Sequence, residues 1–269
     1  MKKYLLGLGD LHVGSGCALV HPKVPRHVGI GKENVEPVKP TKIQRYLWRC
    51  YNNMLQRLPE RLDAVVVNGD VVQGKRSFWE FRLSLVRLDD QRDHAIAILK
   101  PLRERCEKMY ITAGTRSHSL DVFDVEREIA LALNAKYHYV HNLKLLDKVF
   151  NFVHGKSHAY VNKPLPLTRE IMFNALMQEL KKVPNADVIV RSHIHSFTWV
   201  GDERRIALFL PAWQISSEYA ATGRASYYGS QSSLGAVLFE VTEDEMPNGV
   251  RIWLFRYDYP KIRLKVEEV

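Results

Sequence analysis

The amino-acid sequence predicts an α/β fold on three observations. Apolar runs of strand length alternate with helix-spaced segments through the first half. The second half reads mainly as strand. Each run in the alternating half ends at polar, ligand-capable residues, as strands of an open α/β sheet do at a binding crevice.

The elements follow in order. "YLLGLGD" (4–10) is a first strand ending in a carboxylate. A Gly-, Pro- and His-containing loop follows to about residue 40, long enough to suggest function or mobility. Residues 41–58 form a helix: Thr41 caps it, Ile43, Leu47, Cys50, Met54 and Leu58 trace one face, and Pro59 ends it. "DAVVVNGD" (63–70) is a buried strand. Residues 78–100 read as helical, in one or two pieces, with Pro101 as the interruption. "MYITAGT" (109–115) is a third strand and turn, and 124–136 is an amphipathic helix capped by Asp124. Strand-like pieces at 138–146 and 148–153 precede a helix at 166–183. Strands are expected at 186–190, 197–201, 205–213, 235–241, 250–257 and 262–267, with a loop over 221–235. One domain covers 1–269, with a loop insert at about 13–40 and a helical insert at about 75–105.

With 269 residues the chain can bury a substantial core, and 46% apolar residues suit a soluble globular protein. The net charge of +9 permits contact with nucleic acid, nucleotides or anionic membrane surfaces without choosing among them. Cys17, Cys50 and Cys106 show neither metal spacing nor a disulfide framework, so a reducing, cytoplasmic setting is expected. The apolar run after Met1 is too short for a secretory segment, and no stretch approaches a membrane span.

Five segments place Asp or His directly after apolar strands. They are "GDLH" with Asp10 and His12, "NGD" with Asp70, "GTRSH" with His118, "FVHG" with His154, and "RSHIH" with His193 and His195. Carboxylates and neutral imidazoles together suit hard-to-borderline divalent metals, and one Asp can bridge two ions with its two oxygens. Any one of these residues alone would be a turn or surface residue. Recurrence across five strand ends is what marks a site. His21, His27, His94, His138, His141 and His158 lack that placement and are read as structural or exposed.

The pattern resembles the calcineurin-like metallophosphoesterase family. Asp10-Leu11-His12 matches its Asp-x-His motif and Gly69-Asp70 its Gly-Asp motif, within "GDVVQG". His154 matches the single-His fourth motif, and "SHIH" (192–195) matches Gly-His-x-His with Ser192 in place of Gly. The resemblance implies a four-layer α-β-β-α sandwich with two mixed β-sheets. It implies one metal on Asp10, His12, Asp70 and His195, and another on Asp70, His154, His193 and a third-motif ligand. The cofactors would be two divalent ions, Mn first, with Fe, Zn, Ni or Mg as alternatives.

The third motif departs from the family's Gly-Asn-His. Here Gly114 is followed by Thr115 and Arg116, and His118 comes two residues late, a form resembling a phage-type branch. Three outcomes follow: His118 supplies the acid or the missing ligand, Arg116 faces the phosphate, or the site binds metal and turns over weakly. Thr115 offers a hydroxyl at the Asn position.

The implied chemistry is phosphoester hydrolysis by a hydroxide held between the metals, with His118 protonating the leaving oxygen. Arg26, Lys75, Arg76 and Arg224, near Phe78, Trp79, Tyr227 and Tyr228, are candidate substrate contacts. These point to phosphodiester hydrolysis on DNA, in a phage or bacterial host cytoplasm. The alternatives are a catalytically weak nucleic-acid-binding or accessory protein on the same fold and a small-molecule nucleotide phosphatase. A dimer is left open.

Overall fold

The computed structural model describes residues 1–28, 34–74, 83–115, 124–155, 162, 164–215, 233–243 and 249–258. Thirteen strands and four helices are formed among the described residues. Strand β1 (Lys2–Leu8) pairs in parallel with β4 (Leu62–Asn68), which pairs in parallel with β5 (Cys106–Thr112) and then β6 (Lys136–His138). On the other side of β1, β12 (Leu234–Thr242) and β13 (Val250–Tyr257) add antiparallel. The first sheet therefore runs β13-β12-β1-β4-β5-β6. The second runs β10-β11-β9-β8-β7, from β7 (Val140–Leu145), β8 (Lys148–Val153), β9 (Val188–Arg191), β10 (Thr198–Gly201) and β11 (Ile206–Phe209). It is parallel at β8–β9–β11 and antiparallel at both edges.

Three apolar clusters give the layers. Leu6, Leu8, Val65, Val67 and Ile111 of the first sheet meet Leu47, Tyr51, Ile98, Leu99 and Ile129 of α1 (Lys42–Arg57), α2 (Leu88–Arg105) and α3 (Val125–Ala132). Leu5, Val66, Val237 and Phe239 meet Phe150, Phe152, Val188, Val190 and Leu208 between the sheets. Leu167 of α4 (Pro164–Glu179) sits on Ile189, Ala207 and Phe209 of the second sheet. This is the expected four-layer sandwich. The strict alternation along β1, β4 and β8 feeds one set of side chains to each side, which is why both faces of each strand are apolar.

Local rules explain the helix starts. Thr41 accepts from the Gln44 N–H while the Gln44 side chain accepts from the Thr41 N–H, a complete capping box. Asp124 accepts from the Arg127 N–H at the start of α3. The remaining differences lie in α2 and the long loop. Helix α2 begins only at Leu88, since residues 83–87 are not helical, and 75–82 lie outside the described residues. Pro101 does not interrupt it; the helix runs on to Arg105. A mid-helix proline costs about 3 kcal/mol, but Ile98, Leu99 and Leu102 are fully buried, and burial contributes ~1.5–3 kcal/mol per such side chain. Within the long loop, β2 (Pro25–His27) and β3 (Val35–Pro37) pair antiparallel, with Arg26 directly opposite Glu36. Sequence alone also missed β6, and the expected strand at 262–267 lies outside the described residues. No helix among the described residues is long and apolar enough to cross a membrane.

Candidate metal centre

The carboxyl ends of β1, β4, β8 and β9 meet at one edge of the two sheets, and they bring all six predicted metal ligands together. Asp10, His12 and His195 form one group and Asp70, His154 and His193 another; within each, the ligand atoms lie within 4.8 Å of one another. Asp10, His12, Asp70 and His154 are buried.

Backbone hydrogen bonds stitch the strand ends together. The Asp10 N–H donates to Gly69 O, the His12 N–H to Asp70 O, and the Trp213 N–H to Asp10 O. The turns are tight. Asp10, His12, Asp70, His193 and His195 all have positive φ, between 46° and 75°. Non-glycine residues avoid that region at roughly 1–3 kcal/mol each, and such strain concentrates at functional sites. Five of the eight described non-glycine residues with positive φ are thus predicted ligands, which ordinary turn-making does not account for. Gly69 and Gly114 permit the close approach. A Cβ at Gly69 would meet His154 Nδ1 at 2.5 Å, and one at Gly114 would strike the Asp70 carboxylate.

Asp70 Oδ2 stands between the two groups. It lies 3.0 Å from His154 Nε2, 3.9 Å from His193 Nδ1 and 4.0 Å from His12 Nε2. Its other oxygen, Oδ1, accepts from both the Thr115 N–H (2.7 Å) and the Thr115 hydroxyl (3.0 Å). One oxygen of Asp70 is thus oriented by the third-motif loop while the other faces both groups. Asp10 is divided in the same way. Its Oδ2 accepts from the His193 N–H, while Oδ1 lies 3.3 Å from His195 Nε2 and 3.8 Å from His12 Nε2. His154 Nδ1 bonds to Asn68 O at 2.8 Å, which directs Nε2 inward.

Electrostatics follow from this packing. Burial pushes the Asp10 carboxyl up, but the His195 imidazole, with His154 behind it, outweighs burial and holds it below its ordinary value. Burial acts on Asp70 likewise, and His154, with His193 and His12, holds it well below that value. Burial alone would lower His154; the Asp70 and Asp10 carboxylates raise it to about 10. Without a metal, therefore, protons sit where cations would.

The residues fit divalent cations. Asp10 Oδ1 and His154 Nε2 are fully buried without a hydrogen bond, 4.0 Å apart. Buried polar atoms are normally satisfied, and oxygen and imidazole donors are what such ions take. The two buried His/Asp groups make a metal-dependent phosphoesterase-type centre.

The other expected residues divide. Thr115 is in the centre, bonded to Asp70. Arg26 is on β2, its guanidinium bonded to Glu36 and reaching Ser84 O. Arg116, His118, Lys75, Arg76 and Arg224 lie outside the described residues, as does His158. His21, His27, His94, His138 and His141 belong to neither metal group, as expected. Among them His27 pairs with Asp90, and His141 with Ile111 O.

Sequence reasoning missed Glu126. Buried on α3, it accepts from the Val71 N–H (2.9 Å) with one oxygen and from the Gly114 N–H (2.7 Å) with the other. It clamps the second and third motif loops together. Burial, with Asp70 nearby, pushes its carboxyl up to about 7, against the two backbone bonds. Asn68 was also overlooked: its amide donates to Ser192 Oγ and Val153 O, tying β4 to the two His-bearing turns.

No protein-family model and no curated protein matches the chain. Solved structures align along most of it. An archaeal phosphodiesterase has a TM-score of 0.43 and 9% identity, covering 94% of this chain and 99% of its own. A predicted phosphoesterase from Streptococcus pneumoniae has 0.41 and 12%, covering 94% and 98%. Vacuolar Protein Sorting 29 from Cryptosporidium parvum has 0.42 and 12%, covering 96% and 99%. Similarity at this level assigns no residue a role.

Proposed function

We propose that the chain is a binuclear metal-dependent phosphodiesterase, with DNA as the first candidate substrate. One observation carries the reading: a single carboxylate oxygen, Asp70 Oδ2, faces imidazoles of both His/Asp groups. Two cations there would supply Lewis-acid polarisation of a phosphoryl oxygen and a lowered pKa for water. The ligands would be Asp10, His12, Asp70 and His195 on one side, and Asp70, His154 and His193 on the other.

The chain's own residues orient those ligands. Thr115 fixes the Asp70 carboxylate, the His193 N–H fixes Asp10, and Asn68 O fixes the His154 tautomer. Burial keeps bulk water from screening them. Arg116 and His118 follow Thr115 directly in sequence. In this reading His118 gives the leaving oxygen its proton and Arg116 faces the phosphate. The net charge of +9 favours a polyanionic substrate.

A second reading is a metal-binding protein of weak turnover. Thr115 favours it, because it spends its hydroxyl on Asp70 in the place of the family's Asn ligand.

The test is hydrolysis under Mn²⁺ of a bis-ester, a monoester, single- and double-stranded DNA and RNA, by wild type and His118→Ala. The proposal expects cleavage of the bis-ester and DNA above the monoester, lost in the variant. Monoester preference would select a small-molecule phosphatase, and DNA binding without cleavage would select the second reading.

A further inference from the structure

Helix α4 turns an apolar face outward. Leu165, Met172, Phe173 and Leu176 are 43–67% exposed, and Leu180, just past the helix, is 53% exposed. At 100° per residue, Leu165, Met172 and Leu176 fall within a sector of about 40°, with Phe173 and Leu180 on one flank. The opposite side is already used, since Leu167 and Ile171 pack on the second sheet. A surface helix ordinarily turns polar residues to water, and single exposed apolar residues are commonplace. A contiguous stripe of five is instead the mark of an interaction surface.

We propose that a second copy of this chain covers this stripe, with the two α4 helices antiparallel about a two-fold axis level with Asn174. The face is self-complementary in that register. Met172 then lies level with the partner's Leu176, and each copy supplies the contact twice. The charges agree. Arg169 and Glu179 flank the stripe on opposite sides, and neither has an ion pair among the described residues. The antiparallel register sets Arg169 level with the partner's Glu179, within reach of two long side chains. A parallel pairing would set Arg169 against its own copy. Opposed helix dipoles also favour the antiparallel form.

Size sets the strength. A 16-residue helix is about 24 Å long, and a seam of that length covers on the order of 1,000 Å² over both copies, the lower limit for specific association. The dimer is therefore concentration-dependent, dissociating at micromolar levels. The metal ligands lie on the turns at the strand ends, so the pairing leaves them open.

The test is sedimentation velocity of the full chain from about 1 to 200 µM, with circular dichroism as the folding control. Mass should rise with concentration from 31.1 kDa toward twice that. Met172→Glu should hold the chain monomeric. Arg169→Glu should weaken association at least tenfold, and Arg169→Glu combined with Glu179→Arg should restore it. A monomer at every concentration overturns the proposal, as does a dimer indifferent to Met172→Glu. A double variant no tighter than Arg169→Glu overturns the antiparallel register.

Discussion

Glu126 shows how one side chain can hold two loops in register. Both its oxygens are committed to backbone N–H groups, one beside Asp70 and one in the third motif. Glu126→Gln would set an NH₂ against one of those N–H donors. The expected loss is about 1–3 kcal/mol, the usual range for leaving a buried partner unmet. Metal affinity should fall with it, because Gly114 and Thr115 orient Asp70. Calorimetric metal titration with thermal unfolding checks this; unchanged affinity would remove Glu126 from the centre. His94 carries a different consequence. Burial lowers it to about 4, below the 6.5 of the unfolded chain. Between those values the unfolded state binds more protons, so stability rises with pH across the window and is lost as pH falls from 6.5 toward 4. Unfolding midpoints measured over that range should fall less steeply in His94→Gln than in wild type.

At the level of elements, the legible part of the chain was the part governed by local rules. Thr41 and Asp124 announce their helices because a capping oxygen must meet an orphan N–H nearby. The strands ending at Asp10, Asp70 and His154 were legible because both faces are buried, giving unbroken apolar runs. Elements fixed by distant partners were not. The β2–β3 hairpin lacks an apolar pattern and is pinned by Arg26 with Glu36 and by His27 with Asp90. Strand β6 is three residues long and exists through pairing with β5. Pro101 misled because propensity is local and the burial of Ile98, Leu99 and Leu102 is not. That account makes α2 a strained helix. Pro101→Ala restores an N–H to the ladder and should raise stability by about 1–2 kcal/mol, read as a higher thermal midpoint; a midpoint at or below wild type would show that the ring's packing outweighs the missing bond.

The whole molecule assembles its centre from segments 183 residues apart, as the contact of Asp10 with His195 shows. The ligands were legible as residue types at strand ends. Their division of labour was not, since it depends on which oxygen of Asp70 meets Thr115 and which faces the imidazoles. The buried carboxylates and imidazoles make the metal-free centre a set of proton-bridged pairs. Cations must displace those protons, so uptake should release protons and strengthen as pH rises. The most direct measurement is the number of Mn²⁺ or Zn²⁺ ions bound per chain, by calorimetry and elemental analysis, in wild type and Asp70→Asn. The account predicts two ions in the wild type, with affinity increasing from pH 6 to 8, and loss of at least one ion in the variant. Wild-type protein that takes up no divalent cation, or an Asp70→Asn protein that binds two as tightly as before, would contradict it.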